Sequence, residues 1–173
     1  DLETRLAIVR NKAQGEHADI PAEVLEFIAT HVTDNIRELE GALNRVSAHA
    51  SLNHEPLSLA QARMILSDLM SAAPARGINP TIVLEATARE FGFTIDDLCS
   101  QSRRRPLVNA RQIGMYVSRE LTDSSYPAIA REFGGRDHTT VIHAVAKVSG
   151  LMKERQYVYD QVTALVRRLK TGG

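Results

Sequence analysis

The sequence predicts an all-α fold, and three observations carry that reading. Apolar residues recur at three- and four-residue intervals in every periodic stretch, no stretch alternates apolar and polar residues for long enough to make a strand, and residues that start and stop helices flank the periodic runs. In chain order, Leu2, Leu6, Val9 and Ala13 form one stripe, and Val24, Leu25, Ile28 and Val32 a second, with Pro21 suited to a first helical turn. A third helix is expected after Thr33 or Asp34, on Ile36, Leu39, Leu43, Val46 and Ala50. Ser58-Leu59-Ala60-Gln61 has the capping-box pattern, in which Ser58 and Gln61 satisfy each other's free backbone donors, and it opens a fourth helix on Leu59, Ala62, Leu66 and Leu69. Four such helices make a small bundle.

Residues 71–80 then collect two prolines and a glycine, the composition of a boundary between modules. Asn79-Pro80 opens a helix that stops at Gly92, and Thr94-Ile95-Asp96-Asp97 begins a short one. The basic loop Ser102-Arg103-Arg104-Arg105-Pro106 leads into a longer helix on Ala110, Ile113, Val117 and Leu121. Ser125-Tyr126-Pro127 starts a short helix on Ile129, Ala130 and Phe133 that ends at Gly134-Gly135. Asp137 opens the next, on Val141, Ile142, Val145 and Val148, and a last helix runs along Val158, Val162, Leu165 and Leu169. Two modules are expected, residues 1–72 and 73–173.

Charge separates the same two parts. The chain of 173 residues is neutral overall, with 21 basic and 21 acidic residues, which argues against nucleic acid. The average hides an asymmetry: residues 1–75 hold six Lys and Arg against eleven Asp and Glu, and residues 76–173 hold fifteen against ten. The second part attracts phosphate and the first repels it. Cys99 is the one cysteine, so no intrachain disulfide is possible, and an inert buried thiol is expected. No apolar run reaches the length of a membrane span and no signal peptide is evident; a soluble, intracellular protein is expected. The first residue is Asp1 within a helical pattern, and the chain is expected to be a piece of a longer polypeptide.

Two short helices around Gly134-Gly135 have helix-turn-helix proportions, because glycine permits the reversal that sets the second helix across the first. Helical hairpins with glycine turns are common, so the side chains opening the second helix matter more: Arg136, Asp137, His138, Thr139 and Thr140. In the usual docking this first turn enters the major groove, where an Asp accepts from cytosine N4 and a Thr methyl meets the thymine methyl. Asp137 is equally suited to capping the helix. On a helical wheel Thr139, Thr140, His143 and Lys147 point away from the Val141/Val145/Val148 stripe and Arg136 shares their side. His138 falls near the stripe, and its place in the first turn favours contact with a base over burial. Arg103, Arg104 and Arg105 make either a solvated loop or a grip on phosphate and the minor groove, and residues 99–155 carry ten basic against five acidic side chains. No zinc-ligand spacing and no nucleophile with a base is present.

The run Ile129-Ala130-Arg131-Glu132-Phe133-Gly134-Gly135-Arg136-Asp137-His138-Thr139-Thr140-Val141-Ile142-His143-Ala144-Val145-Ala146-Lys147-Val148 closely resembles the signature of the bacterial chromosomal replication initiators, the DnaA family. Asn35-Ile36-Arg37-Glu38-Leu39-Glu40-Gly41-Ala42-Leu43-Asn44-Arg45 resembles the sensor 2 region of that family's AAA+ ATPase lid. The resemblance implies an AAA+ helical lid followed by a linker helix and an origin-DNA-binding helix-turn-helix. Its implied partner is double-stranded DNA carrying short DnaA boxes, with ATP-dependent self-assembly on origin DNA in the intact protein, a contact of the linker with acidic phospholipid, and transcriptional regulation. It implies base contacts by Asp137, His138 and Thr139 in the major groove, by Pro127, and by Arg103 in the minor groove, the contiguous run leaving the choice among Arg103, Arg104 and Arg105 open. Arg104, Arg105, Arg111, Gln112, Arg119, Arg136, Thr140, His143 and Lys147 are then the expected backbone contacts. Arg37 would touch nucleotide phosphate in the intact protein; a pair with Asp34 or Glu40 would also account for a cation in the first turn of a helix. No GxxxxGK[ST] phosphate loop occurs, so this chain is expected to need no cofactor and to be no enzyme, ATP and Mg²⁺ belonging to the longer protein. Two other readings use the same residues: an ATPase lid whose basic part binds a protein, and a transcriptional repressor, for which no dimerisation seam is visible.

Overall fold

A computed structural model describes residues 1–15, 19–33, 35–67 and 77–172, and within them every regular element is a helix. The first four are α1 (Leu2–Gly15), α2 (Ala22–His31), α3 (Ile36–Asn53) and α4 (Leu59–Ile65). The remaining six are α5 (Pro80–Phe91), α6 (Ile95–Cys99), α7 (Arg105–Leu121), α8 (Tyr126–Glu132), α9 (His138–Glu154) and α10 (Gln156–Thr171). Most start where a short polar side chain satisfies an otherwise orphaned backbone donor. Asn35, Asn79 and Ser125 each accept from the amide three residues on, and Ser58 and Thr94 form full capping boxes. The expected boundary at residues 72 and 73, and Leu69 on the fourth stripe, lie outside the described residues.

Three clusters of apolar side chains hold the fold. Val9, Val24, Phe27, Ile28, Leu39, Leu43 and Val46 fill the space between α1, α2 and α3, closed at one end by Leu57, Ala62 and Leu66. Ile113, Val117, Val148, Met152, Val158, Val162 and Leu165 join α7, α9 and α10, and Ala48 of α3 belongs to this second cluster. Leu98, Leu107, Met115, Ile129, Phe133, Val141 and Ala144 form the third, under the helix-turn-helix. Leu2 and Ile36, both expected on buried stripes, are 44% and 54% exposed because each sits in a first turn that projects past the core. Ile142 is likewise partly exposed, at 37%, leaving Val141, Ala144 and Val148 as the packed face of α9.

The acidic bundle does not stand apart from the basic half. One face of α3 lies in the bundle core and the other meets α7, α9 and α10 through polar contacts. Arg45 donates to Glu120 at 2.9 Å with both side chains almost fully buried, while Tyr116 also donates to Glu120 and Asn44 donates to Tyr116. Gly41 makes room for this arrangement, since a Cβ there would sit 2.3 Å from a Glu120 carboxylate oxygen. Lys170 of α10 reaches Glu38 at 2.6 Å, Ser51 donates to the Lys153 carbonyl, and Arg37 donates to the carbonyls of Thr122 and Ser124 at 2.6 and 2.8 Å. Removing one member of a buried pair leaves the other charged and unpaired, which costs about 3–5 kcal/mol. Glu120→Ala is therefore expected to lower unfolding free energy in urea by about that amount, and Arg45→Met combined with Glu120→Leu to recover most of the loss.

Candidate nucleic-acid interface

Helix α9 begins at the polar turn that the sequence singles out. Asp137 is its N-cap, accepting from the Thr139 amide at 2.9 Å and from the Thr139 hydroxyl at 2.8 Å. Its other near neighbour is His138, whose Nδ1 lies 3.4 Å away. Asp137, His138, Thr139 and Thr140 are all exposed, and the His138 side chain retains 54% of its accessible surface. The core ends at Val141, one turn further along, so the angle that puts His138 near the apolar stripe brings it to the rim and not into the interior. His143 and Lys147 continue the exposed face, and Pro127 is exposed in the first turn of α8. Asp137 thus both caps the helix and faces solvent, so the two readings of it coexist.

The turn preceding α9 is fixed by close packing against the start of the basic loop. Gly134 has φ of 97°, and a Cβ on it would lie 2.3 Å from the Cys99 carbonyl oxygen, so a side chain at this position would push the two segments apart. Gly135 and Arg136 both donate their amides to the Ala130 carbonyl, closing the end of α8. Cys99 sits half-buried beside this contact, its thiol directed at the Glu132 carbonyl, and burial pushes its pKa up.

Two arginines expected on phosphate serve this packing. Arg111 is 5% exposed and donates to the carbonyls of Leu98 at 2.6 Å, Ser100 at 3.1 Å and Ser102 at 3.2 Å. The Arg111 guanidinium, expected on phosphate, is turned inward to the carbonyls of Asp97, Leu98, Ser100 and Ser102. Arg136 is half-buried and donates to the carbonyls of Phe133, Leu98 and Ser100. Burial, and for Arg111 also the proximity of Arg136, lowers both pKa values. Arg119 is half-buried too, stacked 3.9 Å over the Tyr126 ring and donating to the Ser124 carbonyl. Arg37 lies beside it, lowered in pKa by burial and then by Arg119.

What remains free for a ligand is a different set of cations. Arg103, Arg104 and Arg105 are exposed; Arg104 precedes α7 and Arg105 is its first residue, with Pro106 next. None of their guanidinium groups forms an ion pair or hydrogen bond among the described residues, and the Lys147 ammonium is in the same condition. Gln112 is half-buried on α7. The structure therefore brings the arginine loop and the first turn of α9 into one rigid frame, through the contacts of residues 98–102 with Arg111, Gly134 and Arg136. Among the described residues no group of His, Cys, Asp and Glu could hold a metal, and no helix is long and apolar enough to cross a membrane.

Two outcomes follow from this geometry. Arg111→Ala leaves the Ser102 carbonyl without its charged donor and the Leu98 and Ser100 carbonyls with Arg136 alone, a loss of about 1.5–3 kcal/mol locally, and amide exchange across residues 99–104 is expected to accelerate at least roughly tenfold. The Asp137 carboxyl is held below its ordinary range by the Thr139 amide and then the Thr139 hydroxyl. A depressed native value means that the cap acts fully near neutral pH and is lost as pH falls through that value. Acidification is accordingly expected to fray the first turn of α9, seen as a loss of protection of the Thr139 amide relative to its intrinsic exchange rate at the same pH, a loss that Asp137→Ala no longer shows as pH falls.

Comparison with known proteins agrees with this arrangement. Residues 80–148 match the family model described as the bacterial dnaA protein helix-turn-helix. Over 170 residues, 98% of the chain, the sequence is 50% identical to the chromosomal replication initiator protein DnaA of Leifsonia xyli subsp. xyli. It is 51% identical over the same length to the DnaA of Clavibacter sepedonicus. In both cases the match occupies 36% of the relative, so the chain spans about a third of the length of these proteins. A solved structure titled as a DNA replication initiation factor superposes with a TM-score of 0.50 at 26% identity, covering 99% of this chain and 48% of that one. The helix-turn-helix match over residues 80–148 and the alignment along nearly the whole sequence make the chain similar to a segment amounting to roughly a third of the DnaA proteins.

Proposed function

We propose that this chain is the origin-binding end of a replication initiator and that it recognises double-stranded DNA by sequence, at DnaA boxes. The observation that carries the proposal is the exposed polar turn Asp137-His138-Thr139 held in one frame with an arginine loop whose guanidinium groups make no ion pair or hydrogen bond among the described residues. A helix start with hydrogen-bonding side chains and no apolar cover suits base edges in the major groove. The loop, one segment away, suits the adjacent minor groove, where guanidinium groups are drawn to negative potential. In this reading Asp137, His138 and Thr139 meet bases, Arg103 enters the minor groove, and Pro127 touches the DNA beside them. Arg104, Arg105, Gln112, Thr140, His143 and Lys147 hold phosphates, while Arg111 and Arg136 fix the loop that carries the first two of these. Arg119 contributes to phosphate only through the part of its guanidinium left by Ser124 and Tyr126.

Residues 1–72 are the lid of an AAA+ module in this proposal, and residues 73–173 the linker and DNA-binding domain. ATP and Mg²⁺ binding, self-assembly on origin DNA, contact with acidic phospholipid and transcriptional regulation belong to the longer cytoplasmic protein. Arg37 would contact nucleotide phosphate there, which requires release of the Thr122 and Ser124 carbonyls that it now holds.

Binding to cognate and scrambled duplexes across a salt series tests the proposal. His138→Ala and Thr139→Ala are each expected to cost about 1–3 kcal/mol on the cognate duplex and little on the scrambled one. Lys147→Ala is expected to weaken both alike and to reduce the slope of log K against log salt by about 0.9. Equal losses on the two duplexes in the His138 and Thr139 variants would exclude base reading.

A further inference from the structure

A second cationic feature lies further along α9, where it meets α7 and α10. A cleft of about 200 Å³ opens there, bordered by Arg105, Asn109 and Gln112 of α7, Lys147 of α9, and Arg155 and Tyr157 at the junction with α10. Arg105, Lys147 and Arg155 are exposed, and none has an ion pair or side-chain hydrogen bond among the described residues. The side-chain amides of Asn109 and Gln112 are equally without partners there, and Tyr157 is 57% exposed. Three cations around one concavity repel each other, so the cleft is electrostatically incomplete until an anion enters. Arg155 is the single residue between α9 and α10, and no side chain caps the α10 N-terminus, so the positive end of a sixteen-residue helix adds to the field on the same side.

The cleft is continuous with the proposed recognition face. Thr140, His143 and Lys147 lie three and four residues apart on α9 and so share one side of the helix. Lys147 follows Thr140 by seven residues, about 10 Å along the axis at ~1.5 Å per residue. A strand whose bases are met at the first turn and whose backbone passes Lys147 continues into this cleft.

We propose that the cleft is a seat for backbone phosphate of the bound duplex, built by Arg155 and Tyr157 together with Arg105, Asn109 and Lys147, and that it extends the contacted DNA beyond the base-read stretch. The inference rests on the DNA-binding reading above. Arg155 supplies a delocalised cation with several donors, which suits a tetrahedral oxyanion, and the Tyr157 phenol adds a neutral donor. Polar amides at the rim accept a hydrated, shared phosphate without demanding any base sequence.

The full chain is titrated with two cognate duplexes, one limited to the recognition site and one extended by about half a helical turn at each end, over a series of KCl concentrations. Arg155→Gln and Tyr157→Ala are compared with the unaltered chain; both side chains are exposed, so the fold is expected to persist, and thermal melting checks it. For the unaltered chain, extension is expected to raise affinity several-fold and to steepen the salt slope by about one contact. Arg155→Gln is expected to lose that gain, with Tyr157→Ala losing part of it, while the ratio of cognate to scrambled binding stays unchanged. Equal slopes and affinities for Arg155→Gln and the unaltered chain on the extended duplex would overturn the seat while leaving base reading intact. Loss of binding to phosphatidylglycerol vesicles in Arg155→Gln, with the gain on extended duplex retained, would overturn it in favour of a lipid headgroup. Absence of any sequence preference in the unaltered chain would instead defeat the underlying DNA reading.

Discussion

The convergence of Arg111 and Arg136 on the carbonyls of Leu98 and Ser100 is the constraint from which the geometry of the interface follows. A loop such as residues 99–104 has backbone acceptors that no helix or sheet satisfies. Two guanidinium groups, one from the middle of α7 and one from the turn before α9, supply donors in the fixed planar arrangement that several carbonyls can share. The same contacts bring Gly134 against Cys99 closely enough to exclude a side chain. Three segments distant in sequence are therefore tied together, and the arginine loop is anchored at residues 98–102 beside the turn that opens α9. Two exposed polar segments can engage one ligand together only while that registry holds.

This division of labour among arginines separates binding from support. Arg111, Arg136 and, in part, Arg119 lie against carbonyls and a ring, and Arg45 lies against Glu120. Arg103, Arg104, Arg105, Lys147 and Arg155 are left to solvent. The basic excess of the second half is thus smaller at the surface than in composition. On the other side of the molecule, α3 serves two masters: Leu39, Leu43 and Val46 belong to the bundle core, whereas Arg37, Glu38, Gly41, Asn44, Arg45 and Ser51 face the basic half.

Local signals explain why so much of the helix pattern was legible. Capping by Ser58, Asn79, Thr94, Ser125 and Asp137 is decided within three residues of sequence, and the glycine pair after Phe133 ends α8 for a conformational reason that needs no partner. The polar first turn of α9 was legible for the same reason, His138 included once the core's edge at Val141 is counted. The roles of individual arginines were not. Sequence spacing places Arg111 on a helix but does not say that the opposing loop presents bare carbonyls, and a count of cations treats a buried guanidinium and a free one alike. The Arg45–Glu120 and Lys170–Glu38 pairs join residues 75 and 132 positions apart, separations at which no periodicity operates. Arg155 and Tyr157 escaped notice because their importance comes from where α10 turns away from α9, a tertiary fact.

The ion pair between Glu38 and Lys170 has a consequence for how the molecule is made. Synthesis proceeds from the N-terminus, and domains emerging first begin to fold before the rest exists. The bundle of α1 to α4 can close its own apolar core early, yet the polar side of α3 stays uncovered until the ribosome has released α7, and Glu38 meets its ammonium partner only when the final helix has emerged. Arg45 spends that interval hydrated, and its dehydration coincides with the arrival of Glu120. The α3 side of the bundle therefore waits, half-dressed in water, until α10 has followed it.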